Sequence, residues 1–316
     1  MNKIHIYAPA TIANLSCGFD VLGTCLEVLS EEMIITKVPE KGIRITSITG
    51  ADLPLEVEKN VAGVAAASVY NLFDAEFGFE IEIHKKIRVG SGLGSSAASA
   101  VAAVTGINHF LGNPLSKKEL VSHAMIGESI ASGSQHADNV APALLGNFTL
   151  IRGYEPFEII EIPSPKDLFA VVIHPHIEVK TSEARNILKP TVPLKDAVTQ
   201  WGNLGGLIAG LYTNDYALIG NSIQDVIVEP FRKSLIPFFD ETVAIAKQSG
   251  ALGAGISGSG PSIFALAKGE KIAKEIENAI TEFYSKTEIP FTIYCSRINS
   301  EGVEIKTNQK ENYAIL

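Results

Sequence analysis

Basic side chains are in short supply: 26 Lys and Arg stand against 35 Asp and Glu, a formal net charge of −9. That excludes a broad nucleic-acid-binding face, so no nucleic-acid partner is expected. A small anionic ligand stays open, because it needs only local cations. Cysteine is scarcer, with Cys17, Cys25 and Cys295 as an odd set without metal-ligand spacing. This excludes a disulfide framework and fits a reducing cytosol, making the cytoplasm the expected compartment. No apolar run reaches the length of a membrane span, so no membrane partner is expected. No signal peptide is expected either, since Met1-Asn2-Lys3 leads straight into a strand pattern. Internal repeats and low-complexity tracts are missing from the sequence. What remains is a globular composition, 46 % apolar and 19 % charged over 316 residues, enough for two domains and a large core.

The chain is organised around Val89-Gly90-Ser91-Gly92-Leu93-Gly94-Ser95-Ser96-Ala97-Ala98. Upstream, Phe79, Ile81 and Ile83 alternate with polar residues and predict a strand. Downstream, an Ala-rich stretch with Val101, Thr105 and Phe110 on one stripe predicts a helix. Strand, glycine turn and helix N-terminus in that order expose backbone N–H groups at the positive end of a helix dipole, which suits phosphate. The loop is not a Walker A loop, because no Gly-Lys-Ser/Thr follows. Nor is it a dinucleotide fingerprint, since Gly90-x-Gly92-x-Gly94 has the wrong last spacing. Taken alone, a glycine-rich turn often does no more than join a strand to a helix.

Elsewhere the pattern is mixed. Ile4 and Ile6 predict a first strand that Pro9 stops. Residues 33–38 and 43–48 flank Pro39-Glu40-Lys41-Gly42 and predict a hairpin. Asn60 is a favoured N-cap for a helix ending near Asp74. Ser116-x-x-Glu119 is a capping box, and on the helix it opens, Leu120, Ala124 and Glu128 share one face. A carboxylate on an apolar stripe is costly unless partnered, and taken alone Glu128 reads as a structural ion pair or a helix-end exposure rather than as a functional group. Pro163-Ser164-Pro165 is the expected boundary between domains at 1–163 and 164–316. The second half begins with the continuous apolar run 169–173, a buried strand. Helices are expected near 196–212, 216–225, 235–249 and 272–285, and strands at 262–267 and 291–296. The tail from Asn308 is polar and expected to fray.

Gly92-Leu93-Gly94-Ser95-Ser96-Ala97-Ala98 resembles the phosphate loop of the GHMP kinases, with Arg88 where the family pattern has a proline. Three more stretches resemble the same family: residues 9–20, residues 132–142 and the glycine-rich residues 253–262. The resemblance implies an α+β fold with a left-handed βαβ unit around the phosphate loop in the first domain. It implies a ferredoxin-like second domain that completes the substrate site, and it allows a homodimer. ATP would be held by Asn60 and by residues Arg88, Val89, Gly90, Ser91, Gly92, Leu93, Gly94, Ser95, Ser96, Ala97 and Ala98. Fixed N–H donors on the β- and γ-phosphates stabilise charge that grows during transfer. Ser96 and Glu128 would hold Mg²⁺, which prefers hard oxygens.

The first and second of the three stretches resemble the branch acting on L-homoserine. A zwitterion with a side-chain hydroxyl calls for acceptors around its ammonium, and Asn14, Asp20 and Asp138 suit it. Its carboxylate calls for arginine, and Arg185 and Arg232 match. His136 and Gly258 belong to the same implied site, although a lone histidine is more often a structural hydrogen-bonder. Asn139 stands where mevalonate-type relatives carry an aspartate base. Asparagine cannot take a proton, but it can orient the attacking hydroxyl. The implied reaction is direct phosphoryl transfer from ATP to the homoserine hydroxyl. A sister kinase acting on a shikimate- or mevalonate-type alcohol is the alternative. A nucleotide sensor without activity is a third reading, disfavoured by the presence of both Ser96 and Glu128.

Overall fold

Two sheets, one mixed and one antiparallel, are built around two apolar cores. The computed structural model describes residues 2–133 and 135–306. Ser134 and the tail from Asn308, expected to fray, lie outside the described residues. The first half runs β1 (Lys3–Ala13), β2 (Leu22–Val38), β3 (Gly42–Thr49), α1 (Val61–Tyr70), β4 (Gly78–His84), α2 (Ser95–Phe110), α3 (Lys117–Ser132), α4 (Val140–Leu145), β5 (Phe148–Tyr154) and β6 (Phe157–Ile162). The second runs β7 (Leu168–Pro175), α5 (Thr181–Asn186), α6 (Leu194–Thr213), α7 (Tyr216–Ser222), α8 (Glu229–Arg232), α9 (Phe239–Gln248), β8 (Gly253–Ile256), β9 (Ile263–Lys268), α10 (Glu270–Tyr284), β10 (Phe291–Arg297) and β11 (Glu304–Lys306).

The seven-stranded sheet has the order β11-β1-β2-β4-β3, with β5 pairing both β2 and β6. Three sequence expectations are corrected here. Residues 33–38 and 43–48 form no hairpin: β4 lies between β2 and β3, antiparallel to the first and parallel to the second. The helix α1 supplies the crossover that a parallel pair needs. Pro9 does not end β1, because the ladder with β2 shifts register between Pro9 and Thr11 and then continues to Ala13. Such an irregularity is where a sheet tolerates proline. The helix capped by Asn60 ends at Tyr70, four residues short of Asp74.

The four-stranded sheet, order β10-β7-β9-β8, is antiparallel throughout, and α9 and α10 pack on one face. Strand β7 is buried along its whole length. Its residues divide by alternation: Leu168, Ala170 and Val172 join the larger core, whereas Phe169, Val171 and Ile173 join the smaller one under α9 and α10. A strand between two cores has no polar face, which is why its sequence reads as an unbroken apolar run. Strand β11 returns to the first sheet beside β1, with Tyr7 opposite Glu304.

Candidate active site

The glycine loop leaves β4 and enters α2. Gly90, Gly92 and Gly94 all have φ in the left-handed region, at 73°, 78° and 68°. Gly94 is the N-cap of α2 and supplies no side-chain cap. The first-turn N–H groups of α2 therefore have no side-chain acceptor from their cap and are available to an anion. The loop is fastened from behind by three bonds: Thr11 N–H to the Leu93 carbonyl (3.1 Å), Ser257 Oγ to the Gly92 carbonyl (2.7 Å), and Ser262 N–H to the Ser91 carbonyl (3.2 Å). A Cβ on Gly92 would lie 2.6 Å from the Ser257 carbonyl oxygen. The glycine-rich residues 253–262 are thus a brace for the loop, built from β8 and the turn that leads into β9.

These elements enclose a cleft of about 610 Å³. Its lining includes Asn60, Val89, Gly90, Ser91, Gly92, Gly94, Ser95, Ser96 and Glu128 around the loop and α2, then Asn14, Asp20, His136, Asp138, Arg185 and Arg232, with Asn139 and Gly258 lying against Gly94 and Gly92 where the two sets meet. Leu93, Ala97 and Ala98 turn into the core instead, and Arg88 lies outside the wall. Asn60 caps α1, accepting from Ala62 and Gly63 N–H, and donates to the Pro54 carbonyl.

On the loop side, Ser96 Oγ donates to Glu128 Oε1 at 2.8 Å. Burial pushes the Glu128 carboxyl up to about 7, against the pull of that hydrogen bond. The inward face that carries Leu120 and Ala124 therefore delivers Glu128 to the first turn of α2. Beneath lies a pair the sequence reading missed. Lys85, its side chain 2 % exposed, meets Glu31 Oε1 at 2.5 Å and also donates to Ser99 Oγ and the Ser95 carbonyl. Glu31 offsets the lysine's charge, so the pair acts mainly as a tether that joins the end of β4 to the first turn of α2 under the phosphate loop. In sequence it is one of two adjacent lysines at a strand end, with no local signal.

The opposite wall begins where β1 ends. Asn14, Leu15, Ser16 and Asp20 all hold positive φ, a costly state for residues with side chains. Asn14 locks this turn: its Oδ1 accepts from Asp20 N–H at 2.9 Å and its Nδ2 donates to the Gly258 carbonyl at 2.9 Å. Asp20 is gripped bidentately by Arg185, at 2.9 and 3.1 Å. Arg232 is buried and donates to the Ala184 and Gly258 carbonyls. Both guanidinium groups lie over the Phe19 ring, at 5.5 and 5.0 Å from its centroid. Burial and the nearby Asp20 push Asp138 up to about 7, whereas burial lowers His136. Thr11 Oγ1 donates to Asn139 Oδ1 at 2.6 Å. Thr11 and Phe19 sit inside a recognisable motif, but nothing in their residue types or spacing singles them out.

Models of the GHMP kinase family match the chain twice, the N-terminal domain over residues 59–147 and the C-terminal domain over residues 207–286. Similar proteins named homoserine kinase include one from Chlorobium phaeobacteroides, 43 % identical over 96 % of this chain and 100 % of the relative. Another, from Methanococcus vannielii, is 42 % identical over 90 % and 94 %. The crystal structure of homoserine kinase from Cytophaga hutchinsonii superposes with a TM-score of 0.94 at 48 % identity, covering 97 % of this chain and 98 % of that one. A mevalonate kinase structure shares the fold at a TM-score of 0.70 and 18 % identity, covering 94 % and 99 %.

Proposed function

Because the chain belongs to the GHMP kinases, with homoserine kinases among its full-length relatives, we propose that its cleft phosphorylates the side-chain hydroxyl of L-homoserine at the expense of ATP. The observation that carries the choice of acceptor is the bidentate Asp20–Arg185 pair, which with Arg232 lines the same cleft as the phosphate loop. An anion and two cations in one place match a zwitterion. Asp20, with Asn14 and Asp138, takes the ammonium, and Arg185 and Arg232 take the carboxylate. A shikimate- or mevalonate-type alcohol has no ammonium to offer Asp20.

The γ-phosphate is held by main-chain donors of the glycine loop and of the first turn of α2, apart from Ser91 and Leu93, whose N–H groups bind the Arg88 carbonyl and Ser91 Oγ. The homoserine hydroxyl attacks phosphorus in line. Its oxygen forms the new O–P bond while the bond to the bridging oxygen breaks, and ADP leaves with that electron pair. The hydroxyl proton departs late, to a phosphoryl oxygen and then to solvent, because a loose transition state needs little deprotonation of the nucleophile. Asn139 holds the hydroxyl in place rather than removing its proton. Ser96 and Glu128 present adjacent hard oxygens, a donor set that fits a Mg²⁺ whose other ligands are phosphate and water. Bound there, the ion would offset charge on the phosphates. His136 borders the acceptor. Residues 1–163 form the nucleotide half in this reading and residues 164–316 complete the acceptor half. No described helix is long and apolar enough to cross a membrane, and the three cysteines are free thiols, which fits cytoplasmic work.

The test is ADP release across a panel of small alcohols, with the product identified by phosphorus NMR. L-Homoserine should be turned over and appear as O-phospho-L-homoserine. Equal turnover of an acceptor without an amine would overturn the reading.

A further inference from the structure

The contact between Thr11 and Asn139 joins residues 128 positions apart. Thr11 is fully buried in β1, just past the register shift that begins at Pro9. Irregularities of this kind re-aim a side chain, often beside an active site. Here the hydroxyl points at Asn139 Oδ1 while the Thr11 N–H binds the Leu93 carbonyl of the phosphate loop. Gly94 closes the arrangement. A Cβ at that position would lie 2.0 Å from Thr11 Oγ1 and 3.0 Å from Asn139 Oδ1. The phosphate loop, Thr11 and Asn139 are therefore in direct contact, with no room for slack.

An asparagine amide can offer the cleft either its oxygen or its N–H groups. With Oδ1 taken by Thr11, the N–H groups are what remain for the cleft. We infer that Thr11 is a positioning residue: it fixes which end of the Asn139 amide meets the acceptor hydroxyl, and ties that amide to the phosphate loop. This rests on the proposed kinase reading. A donor toward the cleft holds the hydroxyl by one lone pair. It leaves the second lone pair for phosphorus and leaves the proton directed away from the amide. An amide turned the other way would hold the hydroxyl by its proton and compete with proton departure. The hydrogen bond from Thr11 also polarises the amide, strengthening its N–H donors.

The experiment compares Thr11→Val, Thr11→Ser, Asn139→Ala and the double variant Thr11→Val/Asn139→Ala, with thermal melting and ATP calorimetry on each. Valine keeps the shape and deletes the hydroxyl, so kcat should fall about 10- to 100-fold, the usual cost of misplacing a reacting group. The KM values for homoserine and ATP should change little. Serine restores the hydroxyl and should recover most of the rate. In the Asn139→Ala background, Thr11→Val should add almost nothing, since the two act as one unit. Unchanged kcat in Thr11→Val, no recovery in Thr11→Ser, or full additivity in the double variant would each overturn the inference. If the valine variant does not fold, Thr11→Ala replaces it in both backgrounds with the same expectations. A wild-type protein inactive on homoserine would instead count against the proposed function.

Discussion

The two walls of the cleft are made of different material. The phosphate wall is main chain: three left-handed glycines, a helix terminus, and fastenings from Thr11, Ser257 and Ser262. The acceptor wall is side chain: Asp20 and Arg185 bind each other, and Arg232 binds two carbonyls. The first wall is preorganised and has nothing to rearrange when a phosphate arrives. The second is self-compensated, Asp20 and Arg185 satisfying each other, so a zwitterion bound there as proposed would exchange its own charges for those of the pair. Errors in the first wall should therefore act nearly all or none, and errors in the second should be graded.

The largest effect is expected from Gly94→Val. Its φ of 68° disfavours any Cβ, and the Cβ would collide with Thr11 Oγ1 at 2.0 Å. ATP binding should drop below detection in calorimetry while the far-ultraviolet circular dichroism spectrum is kept. Gly90 supplies the control, since its φ is 73° but its nearest neighbour, Glu178 Cγ, would be 3.8 Å away. Gly90→Ala should show only the intrinsic strain of a left-handed residue, about 1–2 kcal/mol. Normal ATP affinity in Gly94→Val would mean that the loop does not hold the nucleotide.

A graded loss is expected on the other wall. Removing a hydrogen bond to a charged group costs about 1.5–3 kcal/mol, so Arg185→Ala should weaken homoserine binding by about 10- to 150-fold. Arg185→Lys should recover only part, because an ammonium cannot form the planar fork. The KM for ATP should hardly move. Asp20→Asn combined with Arg185→Ala should cost less than the sum of the two, because each single change strands the other's charge. If Arg185→Ala raises the KM for ATP and spares that for homoserine, Arg185 belongs to the nucleotide wall and the comparison fails.

The same contrast governs what could be read from sequence. The phosphate loop, the Ser116–Glu119 box and the inward face of Glu128 are local patterns, written within a turn or two of chain. Residues 43–48 read locally as a hairpin partner of 33–38 because their true partner β4 follows a helix, and no local signal says that a later strand will insert between two earlier ones. Residues 9–20 were legible as a motif, yet the left-handed φ values at Leu15 and Ser16 were not, since neither residue type favours them. Lys85 finds Glu31 and Thr11 finds Asn139 only after the sheet and helices are packed.

The smallest effect concerns what stands behind the acceptor wall. Glu229 lies one helical turn before Arg232, and burial, reinforced by Asp225, pushes its carboxyl up to about 7 from an ordinary 4.5. The folded protein thus binds this proton more tightly than the unfolded chain does. Where the folded form holds the extra proton, stability falls as pH rises, here from near 4.5 to near 7, and levels off above. At about 1.4 kcal/mol per pH unit the full shift amounts to about 3 kcal/mol, and with partial water access about 1–3 kcal/mol is expected. Glu229→Gln keeps an acceptor for the Ile256 N–H and removes the charge. It should stabilise the protein by about that amount at about pH 8 and change little at about pH 5, as read from urea unfolding. Glu128 and Asp138 also have raised values and tilt the parent's curve the same way. The informative quantity is therefore the variant minus the parent at each pH. The same difference at both pH values would show that Glu229 is charged without penalty, and that the acceptor wall rests on a solvated carboxylate.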